Sequence, residues 1–129
     1  MNAFQQAFDA LRALVLGAQT EYSRVLVGAL PPDDSMVMAV SAGAEENTSL
    51  DLHGDLNLDI VLNAKHREQD NVMAALFDVH TQVPRMMDLP RGNGWQILSV
   101  STSSAPSFIE YDGDQWLYGS ALEVHISID

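Results

Sequence analysis

The hydrophobic patterns predict an α+β fold: an antiparallel four-stranded (or slightly larger) sheet with two helices packed on one face. Three observations carry that expectation. Phe4, Ala7, Phe8, Leu11, Leu14 and Val15 recur at helical spacing. In LDLHGDLNLDIVLN, residues 50–63, every even position up to Leu62 is apolar or glycine. The odd positions there hold Asp51, His53, Asp55, Asn57, Asp59, Val61 and Asn63, so the stretch reads as a strand with one buried and one wet face. The chain's last stretch alternates too, with Trp116, Tyr118, Ser120, Leu122, Val124, Ile126 and Ile128 on one parity.

The elements follow in order. A first helix covers residues 3 to 17, with Gly17 as its stop. TEYSRVLVGAL, residues 20–30, is compatible with a helical extension or a short strand. PPDD at 31–34 breaks the chain, and SMVMAVSAG reads as a short strand joined through AEENTS to the long one, a hairpin with a long loop. From His66 the period changes from two to about 3.6. Val72, Ala75, Leu76, Val79, Val83 and Met86 or Met87 line one face of a second helix over 67–83, with Pro84 near its end or at a kink. LPRGNG at 89–94 is a turn, WQILSVST at 95–102 a third strand, and SSAPSFIEYDGD an irregular connection with an Asp-Gly turn at 112–113. The order α-β-β-α-β-β fits one domain of 129 residues.

Charge restricts the function classes. Eighteen acids face six bases, the formal net charge is −12, and Lys65 is the only lysine. Gripping a phosphate backbone needs clustered Lys and Arg, so nucleic-acid binding is disfavoured, as is an anionic membrane surface. There is no cysteine, hence no disulfide, thiolate chemistry or Cys-based metal site. The N-terminal MNAFQQAFDALRALVLGAQ has no basic region before its apolar part and reads as a helix rather than a signal peptide, and no apolar run of about 18 residues is present to span a bilayer. The expectation is a soluble chain made in the cytoplasm.

Chemical motifs are sparse. Asp51, Asp55 and Asp59 share a face but successive ones lie about 13 Å apart along a strand, too far to converge on one cation, whose oxygens sit at about 2.0–2.6 Å. They form an acidic strip or a solvated face. EYDGDQW starts like a calcium loop, but Trp116 and Leu117 stand where that loop needs Asp or Asn and then Gly, so it reads as a turn. Ser41 in AVSAG lacks the first glycine of a nucleophile elbow. His53, His66, His80 and His125 have no metal-ligand spacing, although His53 and His125 share the odd parity of two strands and so could approach each other. Lys65, His66 and Arg67 form the one basic cluster, where strand gives way to helix, and are candidates for an interface. No catalytic, cofactor or metal site emerges.

VLVGALPPDDSMVMAVSAG, LNLDIVLNAKHREQDNVMAALFDVH and SSAPSFIEYDGDQWLYGSALEVHISID follow an N-terminal helix in turn. This succession of strand, strand running through a polar junction into a helix, and closing loop, turn and strand resembles the tail terminator or minor capsid proteins of long-tailed bacteriophages. The resemblance implies a virion protein of the tail or neck, without a catalytic motif, that forms a ring, usually a hexamer, on the tail tube. Its partners would be further copies of itself, the major tail tube protein and the head-neck connector protein, with DNA passing through unbound. Asp51, Asp55 and Asp59 would then face the channel or a neighbouring subunit, because an anionic wall does not retard phosphates. Two other readings stay open: a neck or stopper subunit, and an acidic binding module that mimics nucleic acid. An enzyme using His53 and His125 as acid and base is a third.

Overall fold

The computed structural model describes residues 2–41 and 54–129. Helix α1 spans Ala3–Gly17 and opens with a capping box: the Asn2 side chain accepts the Gln5 backbone N–H at 2.8 Å, and the Gln5 side chain accepts that of Asn2 at 3.0 Å. Helix α2 spans Gln69–Gln82, with Asp70 in its first turn complementing the helix dipole, and passes into a 3₁₀ turn, Val83–Arg85, at Pro84. The strands are β1 (Val25–Val27), β2 (Ser35–Val40), β3 (Gly54–His66), β4 (Arg91–Gly92), β5 (Trp95–Tyr111) and β6 (Trp116–Ile128).

They form one sheet in the order β1-β2-β3-β6-β5-β4. All neighbours are antiparallel except β1 and β2, so the sheet is mixed and six-stranded rather than antiparallel and four-stranded. The two additions are short edge strands. β1 comes from the undecided residues 20–30, and β4 is half of a two-residue hairpin turned by Asn93 and Gly94. A larger departure is β5, which runs on through Ser103–Tyr111, where an irregular connection was expected. Register shifts at Ser104, Ser107 and Glu110 let a sequence of poor alternation keep pairing with β6.

The even residues of β3, Leu56 to Ala64, are buried, as are Tyr118 to Ile128 on the matching parity of β6. Both helices close over this face: Ala7, Leu11 and Val15 from α1, and Val72, Ala75, Leu76 and Val79 from α2, join it in one continuous core. Met36 and Met38 extend the core to β2. Each large apolar side chain taken fully out of water there contributes about 1.5–3 kcal/mol before the entropy of ordering is counted. Met87, at 99% exposure, does not belong to the α2 stripe, because the chain has left the helix by then.

Two close approaches fix the corners. A β-carbon on Gly92 would lie 2.4 Å from Trp95 Nε1, the atom that donates to Gln6 Oε1 at 3.0 Å and ties the β4–β5 corner to α1. At the β5–β6 turn, Asp112 Oδ1 accepts the backbone N–H groups of Asp114 and Gln115 at 2.9 and 2.7 Å, and Gly113 takes a φ of 92°, where a side chain is strained. Those two hydrogen bonds hold the Asp112 carboxyl below its ordinary range.

Candidate functional site

Directly paired residues of an antiparallel ladder project to the same side, so the register maps the face away from the helices. At one end stand three polar rows: Asp59, Glu123 and Ser101; then Asn57, His125 and Ser99; then Asp55, Ser127 and Gln96. Asp59 and Glu123 are direct cross-strand partners, and His125 Nε2 lies 3.7 Å from Asp55 Oδ2. Like charges directly opposite each other oppose strand pairing, by a few tenths of a kcal/mol up to about 1 kcal/mol. The middle rows are uncharged, with Val61 and Ser104 on either side of Ala121, and Asn63 and Ser107 on either side of Gly119, which lies beneath the Ile109 side chain. Lys65, Leu117 and Glu110 make the row at the far end. The face is therefore acidic at one end rather than along its whole length.

Of the three aspartates singled out from the sequence, Asp55 and Asp59 are on this face, and Asp51 lies outside the described residues, as does His53. The pairing of His53 with His125 accordingly has no described geometry, and the partner given to His125 is Asp55. Glu123 strengthens the acidic end: the alternation of the last strand puts it on the polar parity, and the register of the sheet sets it opposite Asp59.

The basic cluster is divided. Lys65 projects on the open face, while His66 and Arg67 turn into a polar junction built around Asp34. Asp34 Oδ1 accepts the Arg67 backbone N–H at 3.1 Å and Gln115 Nε2 at 2.7 Å, and its Oδ2 lies 3.6 Å from His66 Nε2. His66 Nδ1 accepts the Glu68 N–H at 3.0 Å, which orients the ring with Nε2 toward Asp34. Tyr22 donates from its hydroxyl to the Lys65 carbonyl at 2.9 Å, and burial, with Asp34 and Glu21 nearby, pushes its pKa up, so it remains a donor. The Ser35 hydroxyl is turned to the Asp33 carbonyl at 2.9 Å rather than to His66. One carboxylate thus fastens the loop before β2, the β3–α2 junction and the β5–β6 turn together. The bonds span 33 and 81 residues of sequence, which is why no motif announces them.

Among the described residues, no group of three or more histidines and carboxylates is arranged to hold a metal ion, and no helix is long and apolar enough to cross a membrane. Comparison with protein-family models and with curated proteins gave no match.

Proposed function

We propose that this chain is a structural subunit of a ring that terminates the tail tube of a long-tailed phage and joins it to the head. One observation carries the reading: a single sheet is sealed on one side by both helices, and its other side is left open with Asp55, Asp59 and Glu123 at one end. A sheet of that kind suits a wall around a passage for DNA, since carboxylates repel phosphates and leave nothing for the polymer to adhere to. The order of segments in the sequence supports the same assignment.

Native mass measurement on the purified protein tests it, with a closed ring of about six copies as the expected species. Added to polymerising tail tube protein, the ring should stop tube growth. A protein that binds the head connector but leaves tube length unchanged would be a neck or stopper subunit instead. For the open face, the combined Asp55→Asn, Asp59→Asn and Glu123→Gln variant should assemble normally and slow DNA ejection. Unchanged ejection and infectivity would remove these side chains from the channel wall while leaving the ring intact.

A further inference from the structure

Both ends of the sheet are open. Among the described residues β1 pairs with β2 alone, and the outer edge of β5 is met by β4 at Trp95 and Gln96 and by the Pro90 carbonyl at the Ile97 N–H, with no strand paired to it beyond that. An unpaired edge of backbone N–H and C=O groups is a template for another strand unless something blocks it. On β5 the block is partial. Pro106 lacks an N–H, register shifts on either side of it spoil the ladder, and a further shift falls between Phe108 and Glu110, so the free edge beyond Pro106 is the short, once-bulged stretch Phe108–Tyr111. In the register of the sheet that stretch is level with Ser23–Val25, where the chain enters β1.

The two edges are matched in position and charge. Val25, Met36, Ala64, Tyr118 and Phe108 form one row across five strands, ending in β1 on one side and β5 on the other. The next row runs through Ser35, Lys65, Leu117 and Glu110. Arg24 extends it on the β1 side, being one residue before Val25 on a strand parallel to β2. A cation therefore stands at one edge and a carboxylate at the other, on the same level, about 19 Å apart at four interstrand steps.

Side chains around the two edges are complementary too. Phe108, Ile109 and Tyr111 are each about half exposed. Phe108 is held edge-on against Trp116 and Tyr118 at centroid distances of 6.0 and 5.9 Å, and Tyr111 lies 4.4 Å from Trp116, an aromatic shelf fixed before any partner arrives. Glu110 lies within that segment, and Asp112 and Asp114 follow it in the β5–β6 turn. At that level on the other edge, a cavity of about 310 Å³ lies between α1 and the start of β1, lined by Leu16, Ser23, Arg24 and Val25. Arg12 lies there as well, 3.5 Å from Asp9.

We infer that the Phe108–Tyr111 edge of one copy adds to the Ser23–Val25 edge, where the chain enters β1, of a second copy, beside α1, in antiparallel sense and with Glu110 facing Arg24. The sense follows from the topology, because β5 runs opposite to β1 in the sheet. A two-fold contact would bring acids to acids at one edge or Arg24 to Arg24 at the other. A head-to-tail contact joins opposite charges, and repeated, it generates a ring or a filament. The inference deepens the collar reading and rests on it for ring closure alone.

The absence of native cysteine makes the test clean. Facing residues of an antiparallel pair have Cα atoms within disulfide reach. Arg24→Cys and Glu110→Cys, both at exposed positions, should each stay monomeric under mild oxidation and give a disulfide dimer when mixed. The double variant should give a covalent ladder ending at the native ring size. A native ring without the mixed dimer would overturn this contact and leave the collar reading standing. Dimers of either single variant with itself would overturn it in favour of a two-fold contact, and a chain that stays monomeric and uncross-linked would overturn it as well. A mixed dimer whose double variant grows into open chains would keep the contact and remove the collar.

Discussion

Leu62 lies in the middle of β3 with none of its surface exposed, flanked by Ile60 and Ala64, which are equally buried. Leu62→Ala should cost about 2–5 kcal/mol, read as a lower urea midpoint at unchanged slope, since the surrounding sheet cannot collapse into the space left behind. His80 offers a different handle. Its Nδ1 is 2.7 Å from Thr102 Oγ1, and burial lowers its pKa from the ordinary 6.5 because the charged ring would lose its water. The unfolded chain then binds the proton more readily than the folded one. Stability from this residue is complete above pH 6.5 and is lost as pH falls toward the lower, folded value. Denaturant midpoints at pH 7.5 and 5.0 should differ less for His80→Gln than for the parent. A third change acts on the open face. Glu123→Gln removes the charge opposite Asp59 and should raise stability by a few tenths of a kcal/mol, visible in a thermal melt at low salt and vanishing at high salt.

Elements divide by how loudly their residues repeat. α1, β3, β6 and the body of α2 were legible because each keeps a strict period for ten residues or more, and a one-residue slip would turn every core side chain outward. β1 is three residues long, too short for any period to show, and exists because β2 offers it an edge. The second half of β5 reads as a loop, with four serines and a proline between Ser101 and Ser107, and becomes strand only through pairing with β6 across bulges. The acidic end of the open face was half legible: Asp55 and Asp59 follow from β3, but Glu123 joins them through a register set by the whole sheet. The Asp34 junction was not legible at all, being held by side chains distant in sequence. Within the β5–β6 hairpin, Gly113→Ala should cost about 1 kcal/mol because a β-carbon is strained at its φ of 92°. Faster amide exchange in Ser107–Tyr111 than in β3 would locate that loss in the hairpin rather than the core.

For the molecule as a whole, a net charge of −12 sets copies against one another at long range, and the proposed contact must overcome this. Screening length falls from about 30 Å at 0.01 M salt to about 8 Å at 0.15 M. Association measured by light scattering at fixed protein concentration should therefore rise over that interval, although the Arg24–Glu110 pair taken alone would weaken. A fall with salt would mean that local complementarity outweighs the overall repulsion.

The centre of the sheet also has a consequence for how the chain reaches its final form. β3 and β6 are paired along thirteen residues each, yet everything from α2 to the end of β5 separates them in sequence. That ladder closes a long loop before any of its burial is gained, which places folding on the slow side, in milliseconds to seconds. Until β6 arrives, β3 has one bare flank rich in leucine, so the nascent chain is stickiest before β6 has emerged and paired.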